Sequence, residues 1–151
     1  MKKILLLGAL LSYSMAWAQN TLEIKIDKIK NNNGNIIVGL YNKDNHFPRN
    51  ANDGKIVKAD KNGVTVVFKD LKPGTYAVSV LHDENENKDM DQNKLGIPKE
   101  GFGFSNNVMG AIGPPSFNKA HIDIGADKKD TSISIDMKYM GKKKNASTAG
   151  N

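Results

Sequence analysis

A run of oxygen-bearing side chains between residues 82 and 91 is the feature of this chain with the clearest chemistry. Aspartate and asparagine recur at every second position, at Asp83, Asn85, Asn87, Asp89 and Asp91. Hard cations such as calcium are bound by oxygen ligands at this kind of spacing. Carboxylates crowded into one ordered loop need either full solvation or a bound cation. The sequence therefore predicts a calcium-type site formed by these five residues.

The spacing matches a helix-loop-helix calcium loop only in part. With Asp83 at the first position, Lys88 takes the sixth position, where glycine normally allows a sharp turn. Lys94 takes the twelfth position, where a bidentate glutamate normally closes the site. We therefore expect a strand-to-loop variant closed by another ligand. The local candidates for that ligand are Glu86, Asn93 and Glu100.

Two other interpretations of the acidic run remain open. Asp and Asn also favour turns through local hydrogen bonds, so a solvated acidic turn without a metal is the alternative. Among metals, calcium is favoured over magnesium because amide oxygens suit its irregular shell, whereas zinc or copper would need nitrogen or sulfur ligands. The chain has no cysteine, and the spacing of its histidines does not support a three-histidine site.

A second candidate region is the uncharged stretch from residue 101 to residue 118. It contains the aromatic residues Phe102, Phe104 and Phe117. Such a stretch either folds back over an open end of the fold, which we favour, or presents an apolar surface to a partner. Asn106 and Asn107 could donate amide hydrogen bonds to a sugar, although asparagine is also common in loops. These five residues are the candidates for a ligand or partner loop.

Residues 1–18 have the pattern of a secretory signal peptide. A basic start is followed by an apolar stretch and then by Ala16-Trp17-Ala18. The apolar stretch is far shorter than the roughly 20 residues that a spanning helix needs. We therefore expect a periplasmic or secreted protein that does not span the membrane.

The C-terminal segment of the chain is basic. The formal net charge is +6, and residues 141–151 combine three consecutive lysines with small polar residues, which predicts a disordered basic tail. Nucleic acid is not expected as a partner, because the chain is predicted to be exported and its aromatic residues are not interleaved with basic ones.

Alternating apolar residues predict an all-β fold between residues 19 and 140. Leu22, Ile24 and Ile26 alternate with charged residues, as in a strand with one buried face. Similar patterns recur at 35–42, 55–59, 64–69, 76–80, 120–124 and 133–137. This spacing favours a single antiparallel Ig-like or transthyretin-like β-sandwich of about seven strands with one long loop. The turn at 31–34 further predicts that the first two strands pair antiparallel.

Two resemblances sharpen these expectations. Phe68, Leu71, Pro73, Gly74, Tyr76 and Val78 resemble a signature of transthyretin-like and carboxypeptidase-regulatory-like domains. This signature describes a corner between strands, in which the tyrosine hydroxyl hydrogen-bonds to the backbone upstream.

The second resemblance extends from Leu22 to Met137. The motifs His82-Asp83-Glu84-Asn85, Leu95-Gly96-Ile97-Pro98, Gly103-Phe104-Ser105-Asn106-Asn107 and Gly113-Pro114-Pro115-Ser116-Phe117 resemble an exported bacterial family, domain of unknown function 2141. Relatives resemble Asp-Glu-Asn-Gly-Asn-Gly at the acidic run, whereas this chain has Glu86 and Lys88 in place of the glycines. The resemblance implies a secreted β-sandwich and no established activity.

Three functions compete at this point. The first is a calcium-stabilised binding module whose loop contacts envelope polysaccharide or another exported protein. The second is a hydrolase of envelope or extracellular polymer that uses Asp83, Asp91 or Glu100 as acid and base. The third is a purely structural envelope protein without metal. Because no recognisable catalytic motif is present, we do not expect an enzyme.

Overall fold

The computed structural model describes residues 20–42, 47–127 and 129–140. In these residues the chain forms eight strands, a short 3₁₀ turn at Ser105–Asn107 and one helical turn, α1. The elements are β1 (Asn20–Asp27), β2 (Asn35–Asn42), β3 (Asp53–Lys58), β4 (Val64–Leu71), β5 (Gly74–Asp83), β6 (Gly101–Phe104), α1 (Phe117–Ala120), β7 (Ile122–Ile124) and β8 (Asp130–Asp136). The predicted signal peptide at 1–18, the basic tail at 141–151 and His46 lie outside the described residues.

The strands form two sheets, which confirms the predicted all-β sandwich. The first sheet has the order β4-β1-β8 and the second the order β3-β2-β5-β6, with β7 also pairing with β5. The pairs are antiparallel except for β1 and β8, which run parallel with Ile24 opposite Ile133. This parallel pair is a departure from the expected antiparallel arrangement.

The core lies between the two sheets. Leu22, Ile24 and Ile26 of β1 are fully buried, and they belong to the same apolar cluster as Val38 of β2 and Val78 of β5. Burying an aliphatic side chain of this size contributes about 1.5–3 kcal/mol. The alternation in the sequence therefore identifies the strand faces that hold the sandwich together.

The prediction that the first two strands pair is wrong. β1 pairs with β4 and β8, whereas β2 pairs with β3 and β5 in the other sheet. The connection from 28 to 34 crosses between the sheets, with Ile29 buried on the way. Turn residues indicate where a chain reverses, but they do not determine whether the flanking strands share a sheet.

The segment after Asp83 is not entirely a loop, as was expected, because β6 lies within it. β6 lacks the usual alternation since its two inward positions are glycines. A Cβ at Gly103 would lie 2.7 Å from Ile135 Cγ2, and a Cβ at Gly101 would overlap the Tyr139 ring. The glycines therefore allow Ile135 and Tyr139 to pack tightly against β6.

Tyr76 forms the expected corner. Its hydroxyl donates a 2.9 Å hydrogen bond to the carbonyl oxygen of Lys72, four residues upstream. This bond fixes the turn that leads into β5, the strand that carries the acidic run at its end.

Within the described residues, none of the helices has the length and apolarity required to cross a membrane.

Candidate functional site

Asp83 is the last residue of β5 and is completely buried. One carboxylate oxygen accepts a 3.1 Å hydrogen bond from the N–H of Asn87, and the other accepts a 2.8 Å bond from the N–H of Lys88. Because β5 is held between β2 and β6, the position of Asp83 is set by the sheet. Its carboxylate in turn folds the loop of residues 84–91 back over the strand end.

Three of the predicted site residues lie in contact at this loop. The side-chain amide of Asn85 donates a 2.8 Å hydrogen bond to one carboxylate oxygen of Asp91, and that of Asn87 donates a 3.1 Å bond to the other. Asn85 and Asn87 are exposed, and Asp91 is half-buried. The two amides and the carboxylate therefore converge at the surface of the loop, which we name the Asp91 cluster.

Asp89 is placed differently from the other candidates. Its carboxylate accepts a 2.8 Å hydrogen bond from the N–H of the next residue, Met90. Its backbone N–H donates a 2.8 Å bond to the side-chain oxygen of Asn87. Asp89 therefore supports the local turn, and the hydrogen bonds of its side chain do not connect it to the Asp91 cluster.

Glu100 joins the two ends of the loop. It lies directly before β6 and is only 4% exposed. Its carboxylate accepts hydrogen bonds from the N–H of Glu84 at 2.9 Å and from the N–H of Asp91 at 3.1 Å. Hydrogen bonds to a charged acceptor are stronger than those to a neutral one, so Glu100 holds the loop closed.

The other two candidates for a closing ligand are engaged elsewhere. Glu86 is exposed and forms a 2.7 Å ion pair with Lys58 of the edge strand β3. The side-chain oxygen of Asn93 accepts hydrogen bonds from the N–H groups of Leu95 and Ile97 within its own turn.

Two non-glycine residues of the loop have left-handed backbone. Glu86 has a φ of +62° and Lys88 a φ of +65°. These are the two positions at which the resemblance described above implies glycine, a residue that adopts this conformation without strain. The loop therefore keeps the sharp turns of a glycine-containing loop although the glycines are replaced.

The chain between β1 and β2 forms one wall of the loop. Gly34, at φ +67°, packs so closely that an added Cβ would overlap the carbonyl oxygen of Asp83 and lie 2.8 Å from the Cα of Glu84. The side chain of Asn31 donates a 2.8 Å hydrogen bond to Glu84. Sequence reasoning missed this wall because Gly34 and Asp83 are far apart in the chain and no local pattern links them.

Glu84 carries a structural ion pair at this wall. Burial acts to raise its pKa, but the hydrogen bonds from Asn31 and Lys30 and the charge of Lys30 outweigh it, so the pKa of Glu84 is lowered. Its carboxylate lies 3.2 Å from the Lys30 Nζ. The Glu84 carboxylate is therefore bonded to Asn31 and Lys30 of the wall.

His82, which adjoins the acidic run, is fully buried and fully hydrogen-bonded. Its Nε2 donates to the carbonyl oxygen of Asn33 at 2.8 Å, and its Nδ1 lies 2.7 Å from the Tyr139 hydroxyl. Burial raises the pKa of Tyr139, a hydrogen bond from the Lys30 backbone opposes that effect, and the charge of Glu84 adds to it. His82 thus connects the wall, through Asn33, to Tyr139. Its ring nitrogens do not bond to the Asp91 cluster.

The geometry limits which ions this loop fits. In the described ranges, no group of three or more His, Cys, Asp or Glu side chains is arranged to hold a metal ion. The Asp91 cluster instead contains one carboxylate and two amides, with the carboxylates of Asp83 and Glu100 turned to backbone N–H groups. These side chains offer carboxylate and amide atoms but no thiolate or imidazole, which are the ligands that zinc and copper prefer.

The aromatic candidates lie away from this loop and fold back onto the protein. Phe102 and Phe104 are 8% and 7% exposed, and their rings are 5.9 Å apart. Phe47 packs edge-on against Phe104 at 5.8 Å and against Phe117 at 6.1 Å. The three predicted aromatic residues therefore form a packed cluster on the sheet.

Asn106 and Asn107 are used for internal hydrogen bonds. The Asn106 amide donates a 2.7 Å bond to the carbonyl oxygen of His121. The Asn107 side chain accepts a 2.7 Å bond from the Asp136 N–H and donates a 3.2 Å bond to the Ser134 carbonyl oxygen. Both side chains hold the segment after β6 to neighbouring elements.

A shallow concavity of about 230 Å³ lies on the first sheet, away from both candidate regions. Its lining residues are Thr21, Glu23, Val67, Asp130, Thr131 and Ser132. None of them is a predicted site residue.

Comparison with known proteins identifies the family. No curated protein and no solved structure matches the chain. A family model described as an uncharacterized protein conserved in bacteria, domain of unknown function 2141, matches residues 24–133. The match covers more than half of the chain and most of the described sandwich, including the loop of residues 84–91. This chain therefore belongs to the bacterial family of domain of unknown function 2141.

Proposed function

We propose that this protein is an exported, non-enzymatic β-sandwich module whose loop of residues 83–91 binds a calcium-type cation. The observation that carries the proposal is the Asp91 cluster, in which Asn85, Asn87 and Asp91 meet above two buried carboxylates. In a calcium loop the first, third and fifth positions supply side-chain oxygens, and the ninth position often acts through a water molecule. The module would present this loop to envelope polysaccharide or to another exported protein.

The side chains of the cluster can supply oxygens without moving far. Each amide now directs its nitrogen to Asp91. A half-turn of the terminal torsion exchanges that nitrogen for the amide oxygen, at the cost of the hydrogen bonds that the Asn85 and Asn87 oxygens accept from the Asn87 and Asp89 N–H groups. Asn85, Asn87 and Asp91 would then direct oxygen atoms to one point. A cation at that point would take the place of the two amide donors that now hydrogen-bond to the Asp91 carboxylate.

Asp83 and Glu100 have acceptor capacity left for the same ion. A carboxylate has about four lone-pair sites, and each of these two groups uses two of them for backbone N–H groups. We propose Asp83, Asn85, Asn87 and Asp91 as side-chain ligands and Glu100 as the closing group, which requires these three carboxylates to move closer together than they lie in the described residues. Asp89 would contribute through its carbonyl oxygen, as the seventh position of such loops does.

The hydrogen bonds of the loop also favour a second candidate, a structural module without metal. Glu100 closes the loop and Asp83 folds it through hydrogen bonds from backbone N–H groups. In that case the loop is a rigid cap, and its carboxylates serve only to accept N–H groups. For the same reason we propose a binding or structural role rather than hydrolysis by Asp83, Asp91 or Glu100.

A thermal unfolding experiment distinguishes these candidates. The protein is treated with chelator, and its melting temperature is measured as calcium is added to millimolar concentration. A ligand at about 100 times its Kd stabilises the native state by about 2.7 kcal/mol, which raises the melting temperature by roughly 5–15 °C for a domain of this size. Magnesium at the same concentration should have a smaller effect, because it requires a more regular oxygen shell.

Asp91→Asn should abolish the response to calcium, because it removes the charged member of the cluster. Asp127→Asn, an exposed aspartate after β7, is the matched control and should respond as the original protein does. An unchanged melting temperature at millimolar calcium would contradict the cation site and would support the structural module without metal.

A further inference from the structure

The loop of residues 108–116 presents an aliphatic side chain to solvent. It leaves the sheet between β6 and β7, and Ile112 at its tip is 98% exposed. Met109 in the same loop is 38% exposed. Single exposed apolar residues are common, but an almost completely exposed isoleucine next to an exposed methionine forms an apolar tip.

This tip is held by specific contacts at both ends of the loop. Asn107 anchors its start to β8, and Asn106 anchors its end to α1 through the carbonyl oxygens of Lys119 and His121. Within the loop, a Cβ at Gly110 would lie 2.6 Å from the carbonyl oxygen of Pro114, so the backbone closes on itself. A loop that is already ordered loses little conformational entropy when it binds.

The chemistry of the loop suits a lipid surface. No charged residue occurs from 101 to 118, so no ion must be desolvated when the tip enters an apolar phase. Pro114 and Pro115 lack a backbone N–H, which lowers the number of donors that would lose water. The half-buried rings of Phe47 and Phe117 lie against each other directly behind the loop.

Basic side chains follow the aromatic rings at this surface. Arg49 lies two residues after Phe47, and Lys119 lies two residues after Phe117; both are exposed. Cationic side chains beside a shallowly inserted apolar tip are attracted to anionic headgroups by about 1 kcal/mol each. The tip and its basic border therefore complement an anionic phospholipid surface.

We infer that the loop of residues 108–116 is a shallow anchor that inserts Ile112 and Met109 into an anionic phospholipid bilayer surface, with Arg49 and Lys119 at the headgroups. The anchor does not depend on the proposed cation site. Ser105, which precedes the loop, hydrogen-bonds to Val78 of β5, about 16 Å along that strand from Asp83.

Vesicle flotation tests this inference. The protein is the chain that begins at Gln19, because the predicted signal peptide is itself apolar; every described strand is retained. Vesicles contain equal parts of phosphatidylcholine and phosphatidylglycerol, with pure phosphatidylcholine for comparison, and chelator is present so that calcium plays no part. The protein should float with the anionic vesicles at low salt and less with the neutral ones.

Ile112→Asp should weaken the partition by about tenfold, since a buried aliphatic side chain is replaced by a charge. Leu95→Asp is the matched control, because Leu95 is 83% exposed on a different loop. Its partition should be unchanged. Lys119→Glu should weaken binding to anionic vesicles only.

Three results would overturn the inference. They are the absence of vesicle binding by the unmodified chain, an equal loss in the Leu95 and Ile112 variants, and an Ile112 variant that binds normally. Circular dichroism of each variant verifies that the β-sheet content is retained, so that a loss of binding is not a loss of fold. None of these outcomes affects the calcium experiment.

Discussion

The backbone N–H of Lys88 donates a 2.8 Å hydrogen bond to the buried carboxylate of Asp83. To make this bond, Lys88 adopts a φ of +65°, a conformation that side chains other than glycine rarely adopt. The loop thus retains its hydrogen bonds at the expense of backbone strain, which usually costs about 1–2 kcal/mol per residue.

Lys88→Gly should raise the free energy of unfolding by about 0.5–1 kcal/mol. The substitution removes the left-handed strain, and this gain exceeds the additional entropy that glycine gives the unfolded chain. Lys94→Gly is the control, because Lys94 is exposed in the neighbouring turn without a positive φ. It should be neutral or destabilising. Urea unfolding measures both, and equal effects at the two positions would contradict the explanation.

Gly34→Ala should lower the free energy of unfolding by about 3 kcal/mol or more. The new methyl group would overlap the carbonyl oxygen of Asp83, at a site where two backbone segments must meet. Gly113→Ala is the matched control, since Gly113 has a φ of +80° but no atom within 4 Å of an added Cβ. Gly113→Ala should lower the free energy of unfolding by only about 1 kcal/mol, which is the strain of a left-handed backbone at a residue other than glycine. Thermal unfolding of the two variants separates packing from strain.

Glu100→Gln should lower the free energy of unfolding by about 2–3 kcal/mol. The glutamate accepts N–H groups from Glu84 and Asp91, whereas an amide accepts only one of them and directs its own donor at the other. Glu86→Gln makes the same chemical change in the same loop at an exposed ion pair and should cost less than about 1 kcal/mol. Hydrogen exchange at the Glu84 and Asp91 amides should accelerate only in the Glu100 variant.

The stabilisation from Glu84 should be lost in acid. Burial acts to raise its pKa, but the contacts with Asn31 and Lys30 lower it below the ordinary value of 4.5. A carboxyl whose folded pKa is lowered stabilises the protein above its unfolded pKa, and this effect is lost as the pH falls through the folded pKa. The unfolding free energy of the original protein should therefore approach that of Glu84→Gln below about pH 4. A difference that stays constant with pH would exclude this ionic contribution.

The sequence pattern predicts correctly those features that depend only on residues close together in the chain. The alternation of Leu22, Ile24 and Ile26 identifies the buried face of β1, because side chains of a strand point alternately to its two sides. Asn85, Asn87 and Asp91 meet in part because all three lie in one loop, but the same spacing does not connect the Asp89 side chain to them.

Features that depend on distant partners could not be predicted in this way. The parallel pairing of β1 with β8 joins residues about a hundred positions apart, and the turn residues between β1 and β2 do not report it. β6 was missed because its inward positions are glycines, Gly101 and Gly103, whose role becomes visible only when Ile135 and Tyr139 are placed against them. The sequence could not distinguish Glu100 from the other two candidates for a closing ligand, because its two backbone partners, Glu84 and Asp91, lie at distant positions of the loop.

Asn107 also affects the exposed edge of β8. Its amide occupies the hydrogen-bonding positions of β8 at Ser134 and Asp136, which an incoming strand from a second molecule would otherwise use. Open strand edges are templates for intermolecular pairing and for fibril growth. A single side chain therefore blocks the C-terminal part of the β8 edge to an incoming strand.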